Sequence, residues 1–226
     1  MRRVSPFATR LLIPSPLSPN AVTLVMLLVG LLAAAVLTAP GVAWAVVAFL
    51  LVQCQLLLDC ADGELARWRR QFSAAGIYLD RFAHYITETA LPIALGVRAD
   101  GGFGELGGYT MLGLLAAVLS LVVRVETALV IVARAEAGLE RAPDTAKVAA
   151  PRRSALAKLR RWAGAMPFFR AFIAVEATLL ALLAAMIDAI VGDLTATRLL
   201  VTALVPIGVV TAVGHLVGIL ASSRLR

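Results

Sequence analysis

The chain has 226 residues, 61% of them hydrophobic and 15% charged, with a mean hydropathy of +0.90 and a formal net charge of +7. A soluble domain is nearer half apolar and a quarter charged, and a core of this size could not hide successive apolar runs of bilayer length. Composition therefore excludes a soluble globular fold, a disordered chain and a disulfide scaffold, and points to an integral membrane protein.

Residues 1–19 carry Arg2, Arg3 and Arg10 but no long apolar core ahead of Pro14 and Pro16, unlike a cleavable signal peptide. They read as a short amphipathic segment lying in the cytoplasmic interface. Six runs with little or no charge follow, at about 21–39, 41–58, 82–97, 108–123, 171–187 and 199–221. A span needs about 20 residues, so with a turn or two at their ends these runs predict an all-α, six-helix transmembrane bundle over 20–226. The long polar interval at 136–166 contains SALAKLRRWAGA, which has a basic face and an apolar one. It reads as a connector lying on the membrane surface, with a grip on lipid phosphates as the alternative.

An even number of spans puts both termini on one side. That side would hold 17 of the 21 Lys and Arg, including eight between Arg134 and Arg161. Only Arg98 and Arg198 fall in the opposite loops, while Arg124 and Arg170 lie within or beside spans. Positive charge stays inside, so both termini are expected in the cytoplasm of a multi-pass cell-membrane protein. The surplus charge then reads as topology and anionic-lipid contact, with no nucleic-acid partner. Cys54 and Cys60, six apart on one predicted helix, point to different faces and are expected not to pair.

The segment DCADGELARWRRQFSAAGIYLDRFAH, residues 59–84, carries the chemistry. Asp59, Asp62 and Asp80 stand at the ends of otherwise apolar helices, where ionisable groups line polar cavities and need partners. Asp59 and Asp62 share one helix face at three-residue spacing, with the small residues Gly63 and Ala66 near it. Arg67 follows on the next turn. Asp80 opens the third span one tight connection later, with Gly76 a turn before it and His84 a turn after. Clustered carboxylates need a counter-charge; a hard divalent cation that bridges phosphates supplies one. A carboxylate pair conducting ions and a structural Asp62–Arg67 interaction remain the alternatives from spacing alone.

This segment resembles the signature of the CDP-alcohol phosphotransferase (CDP-alcohol phosphatidyltransferase) family, D-x-x-D-G-x-x-A-R, eight residues, then G-x-x-x-D-x-x-x-D. Asp59, Asp62, Gly63, Ala66, Arg67, Gly76 and Asp80 match seven of the eight fixed positions with the spacing intact, and His84 stands where the last aspartate belongs. SPNAVT, residues 18–23, is similar to the family's P-N-x-x-T element. The resemblance implies a membrane transferase of EC 2.7.8 type, in phospholipid or polyol-phosphate synthesis, with a cytoplasm-facing polar active-site cavity. Such an enzyme moves a phosphatidyl or other phosphoalcohol group from a CDP-linked donor, such as CDP-diacylglycerol, to an alcohol or polyol-phosphate acceptor and releases CMP. It further implies a two-metal Mg²⁺ or Mn²⁺ site on Asp59, Asp62, Asp80 and the position of His84. Donor contacts are implied at Asn20, Ala21, Val22, Thr23, Asp62, Gly63, Ala66, Arg67, Ser73 and Gly76, and a homodimer to which spans three and four contribute.

In the family the fourth aspartate both ligates metal and takes the acceptor's proton. Imidazole titrates near neutral pH and can be a base, but it suits Mn²⁺ or Zn²⁺ better than Mg²⁺. Three readings stay open: His84 as catalytic base beside Asp80, with a reorganised second metal site; another residue such as Glu88 as base; or a CDP-alcohol-binding relative impaired in catalysis. Glu64, in the form DGELAR, leans toward donors carrying a polyol headgroup. Arg124 and Glu126, with Arg170 and Glu176, are candidates for the acceptor pocket or for interhelical pairs, and His215 reads as a packing residue. A small ion-coupled transporter is the rival class. It would need polar residues recurring at the midplane of several spans, whereas these acids gather at one end of two helices.

Overall fold

The computed structural model describes residues 4–104, 106–139, 168–221 and 225. The basic segment 154–165 lies outside them. The described residues form α1 (Ser5–Leu12), α2 (Pro19–Leu37), α3 (Val42–Arg69), α4 (Ala74–Ala99), α5 (Gly108–Glu136), α6 (Ala174–Val191) and α7 (Thr195–Ala221), with a 3₁₀ turn at Phe168–Phe172 before α6. The architecture is all-helical, as expected. Five helices, α2, α3, α5, α6 and α7, are long and apolar enough to cross a membrane. The expected third span, 82–97, falls in α4, which has the length but carries Asp80, Arg81, His84, Glu88 and Arg98.

Most helices outrun their apolar runs. α3 continues from the run at 41–58 to Arg69, and α5 from 108–123 to Glu136, because helical hydrogen bonds are local and need no lipid around them. The polar extension of α3 is where the motif sits. α3 stops at Arg70, which adopts a left-handed conformation (φ 55°), and α4 restarts at the Ser73 cap, whose side chain accepts the Gly76 N–H at 3.0 Å.

α4 is the centre of the bundle, packed on α2, α5, α6 and α7, while α3 packs on α1, α2 and α6. Small residues set the spacing, as in membrane helix packing. The core includes Ala34, Ala48, Ala94, Ala116, Ala177 and Ala181. A Cβ added at Gly113 would lie 2.5 Å from the Pro92 carbonyl oxygen, and one at Gly96 2.5 Å from the Tyr109 carbonyl oxygen, so α4 and α5 cross backbone to backbone. Deeper in, Gln55 Nε2 donates to Thr87 Oγ1 at 3.2 Å beneath Gly30.

The end away from the motif is closed by charged side chains that satisfy loop backbone. Arg98, fully buried, donates to the carbonyls of Ala39 (2.5 Å) and Gly41 (3.0 Å). Arg198 donates to the Ala99 carbonyl at 3.1 Å and lies over the Tyr109 ring. Asp100 accepts the N–H groups of Gly107, Tyr109 and Thr110, and Asp188 those of Ala196 and Thr197, capping α5 and α7. Cys54 and Cys60 form no disulfide, as the spacing required.

Candidate active site

The α3–α4 hairpin folds the motif onto itself. Asp59, near the end of α3, meets the first turns of α4: His84 Nε2 lies 3.1 Å from Asp59 Oδ1 and 3.6 Å from Asp80 Oδ1. Asp80 and His84 are four apart and therefore stacked on one face of α4. One donor atom from each of the three lies within 4.8 Å of the others. Two carboxylate oxygens and an imidazole nitrogen at that spacing fit a divalent cation, and the nitrogen tilts the set toward Mn²⁺ or Zn²⁺.

Asp62, expected in the same ligand set, lies outside this trio among the described residues. Its side chain is buried, and Oδ2 accepts the Thr23 hydroxyl at 2.5 Å, within electrostatic range of Asp59 and Asp80. Thr23 sits on the first turns of α2, whose start is fixed by Ser18 accepting the Ala21 N–H and by Pro19 at the first helical position. Asn20 is brought to the other arm of the hairpin: a Cβ on Gly76 would stand 3.0 Å from Asn20 Oδ1 and 3.3 Å from Ser73 Oγ. Gly63 leaves room for Arg67, whose guanidinium folds back to 3.4 Å from where a Gly63 Cβ would be. The two expected donor elements, 18–23 and 62–76, thus converge. Ala21 and Ala66 are half-buried beside them, and Val22 is buried in the core.

Beside the trio a cleft of about 230 Å³ opens between α4 and α5, with Asp80, Arg81, His84, Tyr85, Arg124 and Thr127 in its walls. Arg124 reaches across to form an ion pair with Glu88, which is buried one turn below His84. That pairing occupies Glu88. Glu126 does not reach the cleft, because its Oε2 lies 2.8 Å from His215 Nδ1, an α5–α7 contact. Arg170 donates to Glu176 at 2.9 and 2.6 Å across the start of α6. Of the acceptor candidates, Arg124 alone lines the cleft.

Four features of this region carry no clear mark in the sequence. Thr23 was read as a donor contact, not as a partner of Asp62. Tyr85 and Thr127 were not singled out. Glu64 accepts the hydroxyls of Ser5 and Thr9, both at 2.6 Å, and so binds α1. For the last, the spacing shows only that Ser5 and Thr9, four apart, share one face of α1, and nothing in it points to Glu64.

A comparison with curated protein sequences gives no match. The family model for CDP-alcohol phosphatidyltransferase matches residues 16–217, a stretch that runs from the α1–α2 link through nearly all of α7 and takes in both elements converging on Asp62. With the motif, its spacing and the helical scaffold on that stretch, the chain belongs to the CDP-alcohol phosphatidyltransferase family.

Proposed function

We propose that this chain transfers a phosphoalcohol group from a CDP-linked donor held over the α2 start and the α3–α4 hairpin to an alcohol bound in the α4–α5 cleft, releasing CMP. Membership of the family implies transfer of a phosphoalcohol from a CDP-alcohol at a membrane, by a transferase of a kind that is generally divalent-metal dependent. The observation that supports this reading is the contact of His84 with both Asp59 and Asp80, in the wall of a cleft of about 230 Å³.

Asp59, Asp80 and His84, with Asp62 alongside, are the residues that would hold divalent cations. Ions held there would supply charge neutralisation for the donor's pyrophosphate and Lewis-acid polarisation of the phosphorus under attack. The protein's own groups do the rest. Asn20, Gly63, Arg67, Ser73 and Gly76 frame the donor, and Gly63 and Gly76 keep its approach to the backbone open. His84 serves as base only in the form whose Nε2 donates to Asp59 and holds no cation, which leaves Nδ1 with a lone pair for the acceptor's proton; a cation on Nε2 would make it a ligand instead. Glu88 is a weaker candidate for base than His84 because it is buried against Arg124. The basic walls contributed by Arg81 and Arg124 favour an acceptor bearing an anionic group.

The α4 helix is read as a sixth crossing, screened from lipid by the helices around it, with both termini and the cleft cytoplasmic. A homodimer is part of the same proposal, and light scattering in detergent tests it.

CMP release by the purified full chain decides the function. CDP-diacylglycerol and soluble CDP-polyols are supplied with a panel of neutral and phosphorylated alcohols, in Mg²⁺ and then Mn²⁺. Metal-dependent CMP release that disappears in Asp80→Asn is the expected result. Activity confined to His84→Asp would mark the native chain as a binder; absence of both release and CDP-ligand binding would overturn the proposal.

A further inference from the structure

Glu64 belongs to the motif segment by position but faces away from the donor. Its two carboxylate oxygens are each engaged by α1: Ser5 Oγ donates to Oε1 and Thr9 Oγ1 to Oε2, both at 2.6 Å, and both hydroxyl residues are buried. One turn and a half further along α3, Arg69 holds the link that follows α1. Its guanidinium donates to the carbonyls of Leu12 (3.1 Å), Ile13 (3.1 Å), Ser15 (2.7 Å) and Leu17 (2.5 Å). Pro14 and Pro16 stiffen that link, and their missing N–H groups leave it few internal hydrogen bonds, so one side chain on α3 supplies much of its fixing. The outer face of this arm carries exposed apolar side chains, Phe7 69% and Leu11 78% exposed, and Trp68 and Phe72 of the hairpin are exposed as well.

The link leads directly into the Ser18–Pro19 cap of α2. Two turns of α2 then carry Asn20 to Gly76 and Thr23 to Asp62. The arm is therefore tied to α3 at both of its ends, at Glu64 and Arg69, and its far end delivers two groups to the donor site. We infer that Glu64 and Arg69 are positioning residues: they strap the amino-terminal arm across the end of α3 and thereby set the register of the α2 start against Asp62 and Gly76. Neither residue touches the donor. The exposed apolar side chains of the strap suit the headgroup layer of a bilayer. This inference rests on the donor site proposed above.

The test uses the full chain in detergent, with two readouts: CDP affinity by calorimetry in Mn²⁺, and the rate of tryptic cleavage after the exposed Arg10. Ser5→Ala with Thr9→Val removes only two hydroxyls and leaves the motif untouched. It is expected to weaken CDP binding about tenfold, as loss of charge-assisted bonds would, and to speed cleavage by a similar factor. Glu64→Ala should match it, and the triple variant should be no worse than either, because all three changes cut one latch. Arg69→Lys should fall between the native chain and Arg69→Gln. If Glu64→Ala weakens CDP binding while Ser5→Ala/Thr9→Val leaves it at the native value, Glu64 is a donor contact and the inference fails. It also fails if cleavage accelerates in every variant with CDP affinity unchanged, since the strap would then be an anchor only. A native chain that binds no CDP would overturn the donor-site reading itself and the positioning role with it.

Discussion

Asp59 and Asp62 lie three residues apart on α3, yet one joins His84 and Asp80 while the other turns inward to Thr23. The spacing made their shared face legible; which neighbour each would choose depends on α2, a helix some 40 residues earlier in the chain, and local pattern holds no trace of it. The same reason hid the bond of Glu64 to Ser5 and Thr9 across more than 50 residues. By contrast, the convergence of Asp80 and His84 was legible because four-residue spacing fixes it within one helix. Thr23→Val tests the inward branch. It removes the hydroxyl donated to a buried carboxylate, so CDP affinity should fall about tenfold while Mn²⁺ binding by Asp59, Asp80 and His84 persists, both readable by calorimetry. Gly76→Ala would press on Asn20 Oδ1 and should weaken CDP binding with the melting temperature nearly unchanged.

Helix existence could be read from the apolar runs, but helix ends could not. A run reports the stretch that faces lipid or core, and α3 and α5 both continue past it as polar helix; the motif and the cleft are built on those continuations. Close crossings were equally invisible, since a glycine in an apolar run does not announce which backbone will approach it. Gly113→Ala places a methyl group 2.5 Å from a carbonyl oxygen of α4 and should destabilise the bundle by about 1–3 kcal/mol in thermal unfolding. Gly104→Ala, with open space around it, should leave the melting temperature alone. The α5 cap responds to acid. Burial pushes the Asp100 carboxyl up, but hydrogen bonds from Thr110, Gly107 and Tyr109 outweigh it and hold the group below the usual carboxylate range. A depressed folded value means that its contribution is complete above an unfolded pKa of about 3.9 and fades as pH falls through the lower folded value. Melting curves from pH 6 down to the onset of acid unfolding should show Asp100→Asn losing less stability over that window than the native chain.

At the scale of the molecule, the charge asymmetry that suggested the topology has two exceptions, Arg98 and Arg198, and both hold loop carbonyls at the end remote from the motif. Both guanidiniums are engaged by backbone carbonyls there. Reporter fusions at both termini should report cytoplasm, and one at Gly104 the opposite side. The central place of α4 has a consequence for how the chain is made. A helix bearing Asp80, Arg81, His84, Glu88 and Arg98 enters hydrocarbon poorly by itself, since each such group is costly there. As a sixth crossing it would therefore have to leave the insertion machinery in company: α2 precedes it to cover one flank, and α5 arrives with Arg124 to pair Glu88 on another. On the proposed reading, the residues that equip the helix for chemistry would also impose an order of assembly, and a chain cut short before α5 should leave α4 stranded at the membrane surface.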